Sequence, residues 1–343
     1  MRALSAALSL LLLSSLVAAQ AEPGPAPAEP GPEEPAPAPK APAAGEEIRK
    51  RGAEDAALLL PQRGLGGDDS GKVEPDKTTL KECKIEVEGC EKMTGYVLTP
   101  DTLPEGRKVA LMFTFHGNGD LGRGRVQNVG RITTARDPVI TIGVQYQELT
   151  PEGGGTMGMP TLATQDKIIE GSKWLLKKVM AEQPVDPARV FVSGFSWGTS
   201  WASGWARKEW MENPDAFPFR AVFLYSSGGA VSRETCPPVP WINFVGSEET
   251  AVLGTINVVA SVRHYSNTLA AWGIPVQYHE IPKMGHAVNG RCHQITRDVV
   301  NDLGGPGRLP YGTAQEAPEA VTFEASTDAL VLELQKLCNE DRW

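Results

Sequence analysis

The segment that most constrains this chain is Gly194-Phe195-Ser196-Trp197-Gly198. It follows a short apolar run, Arg189 to Ser193 (RVFVS), that reads as a buried strand. It precedes Trp197 to Trp210, where Trp197, Trp201 and Trp205 recur every four residues, as on one face of a helix. A chain that leaves a strand and enters a helix within five residues must turn sharply. Glycines on both sides of Ser196 let the backbone crowd together and hold the serine on a strained, exposed turn. The helix that follows points its first amides at the same place, which favours negative charge there. Ser196 is therefore the candidate nucleophile.

The surrounding sequence alternates in the same way. Lys108 to Phe115 (KVALMFTF), Pro138 to Tyr146 (PVITIGVQY), Arg220 to Tyr225 (RAVFLY), Val239 to Val245 (VPWINFV) and Val276 to Ile281 (VQYHEI) read as short strands. Leu162 to Met180, Asn257 to Ala271 and Thr327 to Leu337 read as helices. Apolar strands alternating with helices predict an α/β fold: a mostly parallel, twisted sheet with helices on both faces. Sites in such sheets gather at the carboxyl ends of the strands. Only a short segment separates RAVFLY from VPWINFV, so no large cap domain fits there and the cleft should be open.

His116-Gly117-Asn118-Gly119-Asp120 ends the first of these strands. A glycine-lined turn there can present a backbone N–H to a reacting carbonyl. The amides of Asn118 and Trp197 are the candidate oxyanion donors, and Gly117 and Trp197 candidate substrate contacts. Trp197 serves equally well as packing. His116 precedes the nucleophile by a long way and reads as a residue that fixes the turn.

A base and an acid should follow the serine. His264 lies in a helix, His279 in a strand and His293 on the next helix, whereas His286 lies in the loop Lys283-Met284-Gly285-His286-Ala287, just past the last strand. There an imidazole can swing toward Ser196, with Gly285 permitting a close approach. The one aspartate between Ser196 and His286 is Asp215, which falls one strand too early. The strand VPWINFV runs instead into Gly246-Ser247-Glu248-Glu249-Thr250. Glu249 is the preferred acid and Glu248 the alternative.

The N-terminus addresses localisation. Met1-Arg2 is followed by an apolar run to Ala19 and by Ala19-Gln20-Ala21, a pattern of small residues suited to cleavage. Residues 1–21 read as a secretory signal and not as a stable membrane anchor. Residues 22–77, rich in Pro, Ala, Glu and Gly, read as a spacer without a core, and residues 78–343 as the folded domain. A secreted or periplasmic protein with five cysteines leads one to expect disulfides. Cys83 and Cys90 bracket the strand-like run Lys84 to Glu88. Cys236 and Cys292 form a second candidate pair, leaving Cys338 over. The net charge of −9 comes with no basic cluster, which argues against nucleic acid as a partner. Cysteine spacing matches no zinc site. Gly153-Gly154-Gly155 lacks the Lys-Ser/Thr of a phosphate loop, and with Met157 and Met159 it is expected to border the cleft.

The ordered motifs HGNGD, GFSWG, and VGSEE with KMGH, spanning Lys108 to His286, resemble the α/β-hydrolase superfamily. Val185-Asp186-Pro187-Ala188-Arg189 is more loosely similar to secreted polyhydroxybutyrate depolymerases and feruloyl esterase-like enzymes, whose acid is commonly aspartate. The resemblance implies Ser196 as nucleophile, His286 as base, no metal or organic cofactor, and carboxylic esters, small or polymeric, as substrates. A serine peptidase on the same fold and a non-catalytic binding protein on a hydrolase scaffold are the competing expectations.

Overall fold

The computed structural model describes residues 76–146, 162–250 and 257–303. The signal and nearly all of the spacer read from the sequence, the Gly153–Met159 segment and the helix expected over Thr327 to Leu337 lie outside these residues. Eight strands among the described residues form one sheet in the order β1-β2-β4-β3-β5-β6-β7-β8. These are β1 (Thr78–Lys84), β2 (Thr94–Pro100), β3 (Val109–Phe115), β4 (Val139–Gln145), β5 (Val185–Phe195), β6 (Ala221–Tyr225), β7 (Trp241–Gly246) and β8 (Val276–Ile281). β1 pairs antiparallel with β2, and β2 with β4; every other neighbouring pair is parallel.

Among the described residues five α-helices cover the sheet: α1 (Gly122–Val129), α2 (Leu162–Glu182), α3 (Gly198–Glu212), α4 (Val258–Ala271) and α5 (Gly290–Leu303). The period of two along the strands sorts side chains between the faces. On β3, Val109, Leu111, Phe113 and Phe115 join Ile168 and Leu175 of α2 and Trp201 and Trp205 of α3. Ala110 and Met112 join Val129 of α1 and Cys292, Ile295 and Val299 of α5 on the other face. Trp205 meets Phe113 and Phe219 edge-on at centroid distances of 4.9 and 4.8 Å, the geometry aromatic rings prefer. Both faces of the central strands are thus buried, which is why they read as continuous apolar runs.

Two expectations are corrected. Lys84 to Glu88 is not a strand: β1 ends at Lys84, and the following residues form the turn leading to β2. β2 carries the hairpin instead, with Cys83 opposite Gly95 in the register. The expected disulfides are also absent, since Cys83, Cys90 and Cys292 are free thiols. The Cys90 thiol donates to the Lys167 carbonyl at 3.2 Å, on α2, and the Cys292 thiol lies 3.6 Å from the Met284 sulfur. Burial pushes all three thiols above their ordinary range, so they serve as small apolar groups.

Three histidines are held neutral by this packing. Desolvation pulls His116, His279 and His293 from 6.5 down to about 4. Between these values the unfolded chain binds more protons than the folded one. The stability they contribute is therefore complete above about pH 6.5 and is lost as pH falls toward 4, at roughly 1.4 kcal/mol per pH unit for each histidine. Denaturant unfolding at pH 7, 5.5 and 4.5 should show stability falling steeply through this window. His293→Asn should flatten the slope. A wild-type curve level from pH 7 to 4.5 would contradict the assignment.

Candidate active site

The carboxyl ends of β3, β5, β6 and β7 converge on Ser196. β5 runs into α3 through the Gly194–Gly198 turn, and Ser196 takes φ 52°, a left-handed conformation costly for a residue with a side chain. A Cβ on Gly194 would come within 2.0 Å of the Gly198 carbonyl oxygen, so the turn closes only with glycine there. The serine amide donates to the Tyr225 carbonyl at 2.8 Å, and the serine carbonyl accepts from the Thr199 amide (3.1 Å) and hydroxyl (2.7 Å). Backbone bonds thus hold the strained residue from both sides.

The His286 imidazole reaches Ser196 from the loop after β8. Its Nε2 lies 2.9 Å from Ser196 Oγ, and its Nδ1 lies 2.7 Å from Glu249 Oε2. With Nδ1–H donating to the carboxylate, Nε2 is left as the acceptor for the serine hydroxyl. The Phe195 ring lies 5.0 Å from the imidazole, tilted by 40°. His264 and His293 lie on helices and His279 on β8, as expected. Asp215 is exposed on the short 3₁₀ turn Pro214–Ala216.

Burial separates the two candidate acids. Glu248 is exposed, whereas Glu249 is 1% exposed and directed inward. Glu249 Oε1 accepts from the Gly246 amide at 2.7 Å and from the Ser226 hydroxyl at 2.8 Å, leaving Oε2 for His286. The Glu249 carbonyl accepts from the amides of Val258 and Val259 at the start of α4. The Glu248 amide donates to the Met284 carbonyl at 3.0 Å, tying the acid loop to the histidine loop. Gly285, expected to permit the imidazole's close approach to Ser196, is not crowded: a Cβ there would meet nothing within 4 Å. The crowded position is Gly246, where a Cβ would come within 2.0 Å of the Met284 carbonyl.

Ser226 is the polar residue that sequence reasoning missed. It ends β6 as Ser196 ends β5, again with a left-handed backbone (φ 60°), and its amide donates to the Phe244 carbonyl at 2.8 Å. The only signal for it was its place directly after a buried strand.

The turn after β3 lies beside the serine. A Cβ on Gly117 would sit 3.1 Å from Ser196 Cβ, so Gly117 borders Ser196 directly. His116 is buried, stacks on Tyr146 at 4.1 Å and donates from Nδ1 to the Gly117 carbonyl at 2.8 Å, while the Tyr146 hydroxyl donates to the His116 carbonyl. These contacts fix the turn, as the sequence suggested. Asn118 is exposed at its tip, and Trp197 is half-buried at the start of α3, packed against the core. The amides of Asn118 and Trp197 have no acceptor among the described residues. The loop between β6 and β7 runs from 226 to 240 and holds no helix.

Neither a family model nor a curated protein matches the sequence. Solved structures do match the fold. One is a thermophilic, thermostable carboxylesterase cloned from a metagenomic library, at 14% identity over 77% of this chain and 99% of that one, with a TM-score of 0.52. Another is one of two fungal esterases from Rhizomucor miehei, at 13% identity over 76% of this chain and 89% of that one, with a TM-score of 0.50. Identity this low speaks to architecture alone, and with the strand order and the helices on both faces it shows that the chain has the α/β-hydrolase fold.

Proposed function

We propose that this chain is a serine hydrolase of carboxylic esters that works through an acyl-enzyme. The observation that carries the reading is the continuous relay from Ser196 Oγ through His286 to Glu249, at 2.9 and 2.7 Å, with the serine on a strained strand-to-helix turn. In this reading Ser196 attacks the ester carbonyl carbon while His286 Nε2 takes its proton. Glu249 holds the imidazole in the required tautomer and stabilises the imidazolium that forms. The amides of Asn118 and Trp197 receive the developing oxyanion, with Gly117 and Trp197 bordering the substrate. His286 then protonates the leaving alcohol, and water attacking the acyl-serine by the same base releases the acid. The absence of a helical insertion between β6 and β7 favours an open cleft and bulky or polymeric esters. The signal-like residues 1–21 would deliver the enzyme outside the cytoplasm, behind the spacer of residues 22–77.

The test uses the chain from residue 22 onward, nitrophenyl esters of graded acyl length, the matching nitroanilides and a fluorophosphonate label. Wild type should turn over esters faster than anilides and should be labelled at Ser196. Ser196→Ala should abolish labelling and lower kcat by at least about a thousandfold. A well-folded wild type that neither labels nor hydrolyses any ester removes the catalytic reading and leaves the scaffold as a binding protein; preference for anilides makes it a peptidase.

The acid is tested separately. Glu249→Gln should cost about 10³- to 10⁴-fold in kcat, because the imidazole loses its ionised partner. Glu248→Gln should leave kcat near wild type. Equal losses in the two variants would reject Glu249 as the acid.

Ser226→Gly removes one hydrogen bond to the carboxylate, for an expected loss of roughly ten- to a hundredfold in kcat. The same change suits the left-handed backbone at 226, which offsets part of the stability lost with that hydrogen bond, so the melting temperature should fall only slightly. A Ser226→Gly variant with kcat at the wild-type level would remove Ser226 from the relay.

A further inference from the structure

Ser226 lies at the far end of the relay, where its hydroxyl holds Glu249 at 2.8 Å. A second route leads from Ser196 to the same place. Thr199, in the first turn of α3, is completely buried. Its hydroxyl lies 2.7 Å from the Ser196 carbonyl and 2.8 Å from the Gly228 carbonyl. Gly228 stands two residues beyond Ser226. The contacts therefore close into a ring: Ser196 to His286, to Glu249, to Ser226, along the chain to Gly228, to Thr199, and back to the Ser196 main chain.

A threonine on a helix often bonds a carbonyl three or four residues before it, with no effect beyond the helix. Thr199 reaches further. Its hydroxyl carries one hydrogen and faces two carbonyls. The Ser196 carbonyl already receives the Thr199 amide at 3.1 Å and does not need the hydroxyl. The Gly228 carbonyl has no other donor among the described residues. The next residues of the loop sit on the same face of α3, where Ser203, four residues on, accepts from the Ala230 amide at 2.9 Å. A Cβ on Gly229 would come within 2.5 Å of the Tyr265 hydroxyl oxygen and 2.8 Å of Ser203 Cβ, so the segment is gripped between α3 and α4. Ser226 is thus held from both sides, by its own amide on Phe244 and by Gly228 on Thr199. Its left-handed backbone, at φ 60°, persists only where the surroundings hold it.

We propose that Thr199 is a positioning residue of this site: a tie from the nucleophile's helix to the loop that aims the Ser226 hydroxyl at Glu249. The inference rests on the serine hydrolase reading. Thr199 touches no reacting atom and acts through Ser226. Removing its hydroxyl while keeping its shape leaves the Gly228 carbonyl unpaired in a buried place. The loop then draws away from α3, and the Ser226 hydroxyl leaves the carboxylate with it.

The experiment is a double-mutant cycle on kcat, with an uncharged nitrophenyl ester as substrate and each enzyme normalised to the fraction titrated by a fluorophosphonate. Thr199→Val should lower kcat about tenfold, the scale of one hydrogen bond to a charged group. In the Ser226→Gly background the same change should cost less than about twofold, since the hydroxyl that Thr199 aims is already gone. Thr199→Ser, which keeps the hydroxyl, should recover most of the loss. If Thr199→Val is not recovered folded, Thr199→Ala takes its place in the cycle. A purely structural role would lower the titratable fraction and leave kcat per labelled site unchanged, which overturns the assignment. So do equal losses in the two backgrounds, a Thr199→Ser as slow as Thr199→Val, or a Ser226→Gly with wild-type kcat. A wild type that is not labelled at Ser196 overturns the underlying reading and this assignment with it; any of the other results in a labelled wild type overturns this assignment alone.

Discussion

The carboxyl end of this sheet is organised around one buried carboxylate. Glu249 is desolvated almost completely, and an ionised carboxylate without partners would cost several kcal/mol in such a place. Its two oxygens instead meet three donors: the Gly246 amide, the Ser226 hydroxyl and the His286 imidazole. Each donor comes from a different part of the chain, so satisfying one charge fixes the relative positions of the ends of β6 and β7 and the loop after β8. The imidazole, oriented from below by Glu249, has Nε2 left to face Ser196.

The strands carry this constraint sideways. Ser196 and Ser226 end neighbouring strands in the same left-handed conformation, and each donates its amide to the next strand, Ser196 to Tyr225 and Ser226 to Phe244. Parallel pairing therefore continues one step past the regular ladder, across the residues whose hydroxyls meet His286 and Glu249. Backbone strain at these two serines is held by main-chain hydrogen bonds that the sheet supplies wherever β5, β6 and β7 lie in register. The interior of the sheet, packed with Phe113, Trp205 and Phe244, fixes that register, so the geometry at the rim depends on the core beneath it.

What the sequence disclosed follows from the range of each interaction. The Gly194–Gly198 turn, the alternation of strands and helices, and the place of His286 in a loop are local patterns, and local patterns are legible in one dimension. The candidate acid was legible only as a pair, because Glu248 and Glu249 share every local feature and differ in burial, which distant residues decide. Ser226 was invisible, since a serine after a strand is common and its partner lies 23 residues away. The crowding at Gly246 was not legible, because nothing in KMGH or VGSEE shows that one loop's backbone packs on the other. The β1–β2 hairpin was misplaced for a related reason: β1 lies at the sheet edge, mostly exposed, and lacks the alternation that betrays a half-buried strand. The cysteine expectation failed because a signal-like N-terminus and five cysteines argue for disulfides only statistically, whereas Cys83, Cys90 and Cys292 each pack against a different neighbour.

A glutamate in this place is a consequence of the turn that carries it. The Glu249 amide donates to the Gly246 carbonyl at 3.0 Å, closing a tight turn, and the side chain folds back so that Oε1 caps the Gly246 amide at the start of the same turn. Meanwhile its backbone carbonyl receives the first amides of α4, which anchors the main chain at 249 on the helix side. The carboxylate must therefore span from a backbone fixed by α4 to a point between Gly246, Ser226 and His286. An aspartate on the same backbone would fall short by one carbon–carbon bond, roughly 1.5 Å. It could keep the imidazole or the Gly246 amide within hydrogen-bonding reach, but not both. The loop would then have to move toward the sheet, and Gly246 is already so close to the Met284 carbonyl that it admits no side chain. The longer side chain spans this distance from a backbone that α4 holds and reaches all three donors, in a loop packed so closely on its neighbour that Gly246 admits no side chain.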